Sequence, residues 1–291
     1  MKYFFPKFLL VILFFLPLLY SCEKDINVKL PTPEEKIVVE GWIEQDQYPV
    51  VMLTKNSPYF SQMDSAQIVA LIITDATVTV SDGDSSEVLT PTIDPNYFPP
   101  VLYKGHHLKG VINKTYSLKI EAEGKVLTAQ TTIPAPIPLD SVWFKLEPQK
   151  DSLGYLWATI TDPPAPGNCY RLFTKRLHRD NRYFPILGSV YEDSFFNGET
   201  LNFSMNRGIA NLTADSQDDP EVTYFKKGDT ISLRACTIDR AHYDFWRTAE
   251  QEMYSGGNPF ATPTTVVTNI QGGALGVWGG YGASYYTVIA N

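Results

Sequence analysis

A clean two-residue alternation governs the stretch from Tyr116 to Ile133, and it leaves few options for the fold. Tyr116, Leu118, Ile120 and Ala122 fall on one side of an extended chain, and Ser117, Lys119, Glu121 and Glu123 fall on the other. Gly124-Lys125 reverses the chain, and Leu127, Ala129, Thr131 and Ile133 carry the return strand. One buried face and one wetted face is the pattern of an antiparallel sheet packed on a second layer. Shorter runs of the same kind precede it: Ile37 to Glu44, Val50 to Thr54, and Thr77 to Ser81, which Asp82-Gly83 turns toward Glu87 to Thr90. Composition agrees, since 17 Tyr, 16 Phe, 21 Pro and 19 Gly favour strands and turns over helices.

Pro134-Ala-Pro-Ile-Pro138 forces an extended, semi-rigid segment that no central strand accommodates, and it reads as a domain boundary. Strand-like runs resume at Ser141 to Glu147, Tyr155 to Thr161, Asn168 to Leu177, Glu199 to Phe203 and Thr230 to Ile238, with residues 204–224 as a long polar loop. One helix interrupts them, at about 239–254. Asp239 caps it, Phe245, Ala249 and Met253 together with His242 and Trp246 recur at helical spacing, and Gly256-Gly257 ends it. Its aromatic stripe is expected to pack against a sheet. The chain closes with glycine-rich Gln271 to Gly282 and a last strand, Tyr285 to Ile289, so the helix is an insertion in a β domain. The expected architecture is all-β: two immunoglobulin- or fibronectin-like sandwiches, at 36–133 and 139–291, joined by the Pro-rich linker 134–138.

The amino terminus is of another kind. Lys2 and Lys7 give a basic start, Phe8 to Leu16 is an unbroken apolar run, and Leu19-Tyr20-Ser21-Cys22 follows Pro17 with no acid before Glu23. Phe8 to Tyr20 covers about 20 Å as a helix against a hydrocarbon core of roughly 30 Å, too little to span it. Residues 1–21 therefore read as a signal peptide. Its ending resembles the lipobox of bacterial lipoproteins, in which the Cys thiol is diacylated, the signal is cleaved before it and the new amine is acylated. Two or three acyl chains, at roughly 0.8 kcal/mol per buried methylene, make a lasting anchor. Residues 22–35 read as a tether, and Glu23-Lys24-Asp25 resembles the surface-export signal of Bacteroidetes lipoproteins.

Several function classes lack support in the residues. Removing Lys2 and Lys7 from 24 basic residues leaves 22 against 32 acidic, a net charge of about −10 with no basic stripe, which argues against nucleic-acid binding. His178-Arg179-Asp180 imitates part of a kinase catalytic loop without its companion motifs, and no Gly-x-Ser-x-Gly elbow occurs. The four His are scattered, with His106-His107 adjacent and so divergent on a strand. Asp215, Asp218, Asp219 and Glu221 crowd one loop, but their spacing fits no calcium loop. No metal, cofactor or catalytic residue is assigned. Cys169 and Cys236 form an even pair in a compartment that permits disulfides, and the alternatives are one bridge or two buried free thiols in neighbouring strands. Aromatic residues in turn-like stretches, Tyr59-Phe60, Tyr97-Phe98 and Trp278 with Tyr281, are candidate contacts for a ligand or partner, or rings folded back on the core.

Together these pieces resemble one family. They are the lipobox at Cys22, Val38-Val39-Glu40-Gly41-Trp42-Ile43, Lys114-Thr115-Tyr116-Ser117-Leu118, Asn197-Gly198-Glu199-Thr200 and Gly228-Asp229-Thr230. The run Ile238 to Trp246, Asn258-Pro259-Phe260 and the ending Asn269 to Tyr281 complete them. The chain resembles the Bacteroidetes lipoprotein family of domain of unknown function 4249. The resemblance implies an outer-membrane lipoprotein, commonly encoded beside TonB-dependent receptors and without established catalytic residues. The expected role is non-enzymatic: a surface-exposed accessory or ligand-capturing partner of such a receptor, with a peptide or a glycan as ligand. A surface glycan or peptide hydrolase and an adhesin or structural module are the alternatives.

Overall fold

The computed structural model describes residues 34–57, 63–209, 221–255 and 265–291. Cys22 and the tether up to Thr32-Pro33, Tyr59 and Phe60, Asp215, Asp218 and Asp219, and Gly256-Gly257 lie outside them. Glu35–Asn291 forms one compact unit. Its elements, in order, are β1 (Ile37–Glu44), β2 (Val50–Lys55), α1 (Ser65–Ala70), β3 (Thr77–Ser81), β4 (Ser86–Val88), β5 (Thr90–Ile93), β6 (Val101–Lys104), β7 (Thr115–Ala122) and β8 (Lys125–Thr132). There follow β9 (Ser141–Leu146), β10 (Leu153–Thr161), β11 (Cys169–Arg176), β12 (Phe184–Glu192), β13 (Thr200–Met205), β14 (Phe225–Lys226), β15 (Thr230–Ile238), α2 (Arg240–Ser255) and β16 (Leu275–Ile289). The chain is all-β, as expected, and built from layered sheets.

The layering differs from two separate sandwiches. A single eight-stranded sheet, ordered β12-β11-β15-β16-β1-β2-β6-β5, draws strands from both sides of the Pro-rich segment. Sheet β4-β3-β7-β8 covers one half of its inner face, and sheet β13-β10-β14 with β9 belongs to the other half. The first core contains Val39, Val51, Leu118, Ile120 and Trp278, and the second contains Leu156, Leu172, Leu233 and Phe225. Among the described residues these two cores line the inner face, and a third, smaller cluster around Phe173 and Tyr281 lies on the outer one; the boundary at 134–138 does not part the inner two, because β16 enters both: Trp278 fills the first, and Tyr286 and Val288 pack on the second. The Pro-rich segment is pinned across that strand. Ile137 N–H donates to Thr237 Oγ1 at 2.9 Å and Leu139 N–H to the Tyr286 hydroxyl at 2.6 Å.

Strand β16 also corrects the reading of the glycine-rich ending. Gln271 to Gly282 is not all loop: a fifteen-residue strand starts at Leu275 and pairs parallel with β1 and antiparallel with β15. Glycines stand where neighbours come too close for a side chain. A Cβ on Gly276, at φ +114°, would overlap the Val39 carbonyl, and one on Gly282 would overlap that of Pro134. Strand β12 and helix α1 gave no sequence signal; α1 is a single capped turn in which Asp64 and Gln67 form a capping box.

Helix α2 lies where the insertion was expected, between β15 and β16, with Asp239 accepting from His242 N–H at 2.8 Å as its cap. Its orientation is less simple. The stripe pressed on the sheet is His242, Trp246, Glu250 and Tyr254, at four-residue spacing. His242 packs on Tyr281, Trp246 on Arg171, Glu250 binds Ser189, and the Tyr254 hydroxyl accepts from Gly188 N–H at 3.0 Å. The apolar set Phe245, Ala249 and Met253 instead lines a groove of about 480 Å³ with Val38, Val266 and Leu275, and Met253 is 62% exposed.

Candidate functional site

The outer face of the eight-stranded sheet is where alternation places charge and then partly covers it. On β15, Ile231, Leu233 and Ala235 join the inner core, so Ser232, Arg234 and Cys236 point outward. By the same rule β11 presents Arg171 and Phe173, β1 presents Glu40, Trp42 and Glu44, and β16 presents Gly279, Tyr281 and Tyr285. Small residues on β16 make room. A Cβ on Gly279 would run into the His242 ring, and Ala283 is the next small residue on that face.

Two guanidinium groups are embedded in rings on this face. Arg171 is buried, its guanidinium carbon 3.5 Å from the Trp246 ring centre and 4.8 Å from that of Phe173. It donates to Ser189 Oγ at 3.2 Å and to the Tyr281 hydroxyl at 2.7 Å. Arg234 stands 4.4 Å from the Tyr281 ring centre and 4.8 Å from that of Phe173, and forms an ion pair with buried Glu44, whose other oxygen accepts from the Tyr285 hydroxyl. Cation–π contacts of this kind strengthen when desolvated. The same burial pushes the Tyr281 and Tyr285 hydroxyls up, and it drives His242 well below the ordinary imidazole range, with Arg171 and Arg234 acting in the same direction. His242 is thus a neutral ring in the packing.

Beside this embedded pair lie two charges without ionic partners. Among the described residues no hydrogen-bond donor or salt-bridge cation reaches the Glu40 carboxyl, which is partly buried between Met52 on β2 and Val277 on β16. Burial raises its pKa, and the fields of Arg171 and Arg182 oppose that rise. Arg182, in the turn between β11 and β12, has no hydrogen bond or ion pair among the described residues, and its guanidinium carbon lies 4.9 Å from the ring centres of both Tyr97 and Phe184. Tyr97 in turn stacks on Trp42 at 6.0 Å. It is carried there by the β5–β6 turn, which Asp94 fixes by accepting from Lys104 Nζ at 2.9 Å and from Asn96 N–H at 3.1 Å. Two buried donors nearby, Arg234 Nε and Trp246 Nε1, also have no acceptor. Unmet polar groups gathered in one place call for an explanation, and they make this face the candidate binding site.

The sequence-predicted site residues divide sharply. Tyr97 belongs to this site, and Phe98 beside it is 71% exposed. Trp278 and Tyr281 are not surface contacts: Trp278 is fully buried and donates from Nε1 to the Tyr116 carbonyl at 3.0 Å, and Tyr281 is a buried wall of the site. Cys169 and Cys236 are both free and buried. They pair across the strands with Ile238 and Arg171, so they are diagonal neighbours, roughly 7–8 Å apart and beyond disulfide reach. The acids elsewhere hold backbone. Glu87 accepts from His107 and Leu108 N–H at 3.1 and 2.8 Å, Asp193 from Gly167 and Asn168 N–H at 2.8 Å each, and Asp180 binds Arg176 at 2.7 Å. No group of three or more metal-ligating side chains is assembled among the described residues. A second cavity, about 120 Å³ in the β10–β13 half, is lined by apolar groups such as Leu139, Ile160, Leu172 and Phe203.

A family model described as Domain of unknown function (DUF4249) matches residues 23–287. No curated protein matches the chain.

Proposed function

The chain belongs to the DUF4249 family, and on that premise we propose that it is a non-enzymatic, lipid-anchored outer-membrane protein that captures a ligand for a TonB-dependent receptor. The observation that carries the reading is the site on the outer sheet face, where the unpaired Glu40 carboxyl lies two residues along β1 from Trp42, the unpaired Arg182 guanidinium lies over Tyr97, which stacks on Trp42, and Trp246 covers the neighbouring Arg171. Every one of these side chains but Tyr97 and Arg182 projects from a strand or helix, so the site is held by elements that cost little to order on binding. The lipobox ending at Cys22 supplies the second support. Acyl chains there confine the body to the membrane surface, where modest contacts with a neighbouring barrel suffice because confinement raises effective concentration.

Affinity purification of the full-length protein from detergent-solubilised outer membranes tests the partnership. Co-elution of a TonB-dependent barrel in stoichiometric amount is expected, and recovery of the lipoprotein alone overturns it. Mass spectrometry of the amino-terminal peptide tests the anchor, which requires acyl groups on Cys22.

A further inference from the structure

We infer that the outer-face site takes a small zwitterion, a free amino acid or very short peptide, whose carboxylate meets Arg182 and whose ammonium meets Glu40. This rests on the ligand-capture reading above and adds the chemical class of the ligand.

Opposite charges on neighbouring elements of a folded protein pair directly when they can reach one another, as Arg234 and Glu44 do a few residues away. Glu40 and Arg182 act on each other only through the field, with no contact between them. Each is held back by its surroundings. Glu40 is fixed on β1 with a hydrogen-bonded strand on either side, and the Arg182 guanidinium is engaged by the rings of Tyr97 and Phe184, 4.9 Å from each centre. The rings bridge the two: Trp42 stands two residues along the same strand face from Glu40 and stacks on Tyr97, and Tyr97 carries Arg182. An aromatic wall therefore joins a carboxylate lacking a donor to a guanidinium lacking an acceptor.

Ligand chemistry follows from what each end is missing. A partly buried carboxylate without a donor is unfavourable, and an ammonium supplies three N–H groups. A guanidinium fork matches a carboxylate in bidentate fashion, and stacking pre-orients it. A simple anion would leave Glu40 repelling it, a simple cation would leave Arg182 doing so, and a neutral sugar would neutralise neither.

The test is isothermal titration of the full-length protein with alanine, trialanine, N-acetyl-trialanine and trialanine amide, with cellotriose as a neutral comparison. We expect alanine or trialanine to bind, and each single-end blocked peptide to bind about tenfold or more weakly, because each loses one charge-assisted contact. In Glu40→Gln, N-acetylation no longer matters while amidation still does. In Arg182→Gln the two sensitivities exchange. Equal binding of blocked and unblocked peptides, preference for cellotriose, or no heat from any zwitterion up to roughly 10 mM overturns the inference. The blocked peptides act on the unaltered protein, so the result stands even if a variant misfolds. A protein that co-elutes with a barrel yet ignores zwitterions fails this inference alone; one that binds them without a barrel fails only the receptor partnership.

Discussion

The two faces of the eight-stranded sheet are made by the same strands, and they are opposites. Ile231, Leu233 and Ala235 of β15 look inward to a core of aliphatic and aromatic groups; Ser232, Arg234 and Cys236, one residue out of step, look outward to guanidinium groups, carboxylates and rings. In an ordinary sandwich the outward set meets water. Here helix α2 and the β5–β6 turn bury much of it, so charge is taken out of water on a face where apolar residues would pack at less cost. Retained charge in such a place fits the ligand proposed above.

The largest predicted effects separate the faces by whether they can be rescued. Trp278→Ala on the inner face leaves a large cavity and costs about 3–5 kcal/mol in chemical denaturation. Arg234→Ala strands the Glu44 carboxylate in a buried position, also at about 3–5 kcal/mol. The second loss, unlike the first, is expected to be mostly recovered in the double variant Arg234→Met with Glu44→Gln, which removes the stranded charge. If the double variant is as unstable as Arg234→Ala, the outer-face charges are structural and the contrast fails.

A smaller effect probes the same ion pair from its far side. Tyr285→Phe removes the hydroxyl that donates to Glu44 and leaves a buried acceptor unmet, an expected loss of about 1–3 kcal/mol. The inner-face counterpart, Tyr286→Phe, removes the hydroxyl that accepts from Leu139 N–H at 2.6 Å and is expected to cost a similar amount. Equal losses would show that hydrogen bonds are worth the same on both faces, which confines the difference to the charges.

The outer face also carries the two thiols, whose burial pushes Cys236 up to about 12 and Cys169 to about 11 from an ordinary 9.0. A raised folded-state value means the folded protein holds the proton while the unfolded chain releases it. Their stabilising contribution is therefore complete below about pH 9 and is lost as pH rises through about 11 for Cys169 and about 12 for Cys236. Unfolding midpoints measured between pH 8 and 11 should fall, and fall less in Cys236→Ala. Both thiols should resist alkylation at pH 8 until the protein is denatured.

How much of this was legible depended on whether a residue's neighbours were local. Strands β1, β3, β7 and β15 could be read almost to the residue, because period-two patterning is a property of the strand itself. Strand β12 is broken by Pro185 and Gly188 and twisted by a bulge opposite Arg171 and Phe173, so it carries no such period. The glycines of β16 look like loop because the reason for each, the Val39 carbonyl, the His242 ring or the Pro134 carbonyl, lies far away in sequence. The site was half visible. Tyr97 stood out as an aromatic residue in a turn, and His242 and Trp246 as part of a helical stripe. Arg171, Arg182 and Glu40 did not, since a charge on the solvent side of a strand, as for Arg171 and Glu40, or in a turn, as for Arg182, is the ordinary expectation until other elements are laid over it.

That expectation holds on the covering sheet, which supplies the smallest and most discriminating effect. On β7, Leu118 and Ile120 are buried in the first core while Lys119 between them is exposed and paired at 3.0 Å with equally exposed Glu121. An exposed pair of this kind gains little, because water and salt screen it and ordering two long side chains offsets the attraction. Lys119→Ala is expected to change stability by less than about 0.5 kcal/mol, whereas Ile120→Ala costs about 2–5 kcal/mol. Lys119 and Arg234 have the same formal place, an outward cation in the middle of a β-strand. If denaturation curves of Lys119→Ala and Arg234→Ala coincide, burial by α2 and the β5–β6 turn has not changed the meaning of the outward face; a gap of several kcal/mol, which the packing on Phe173 and Tyr281 requires, locates that change in the covered half of one sheet.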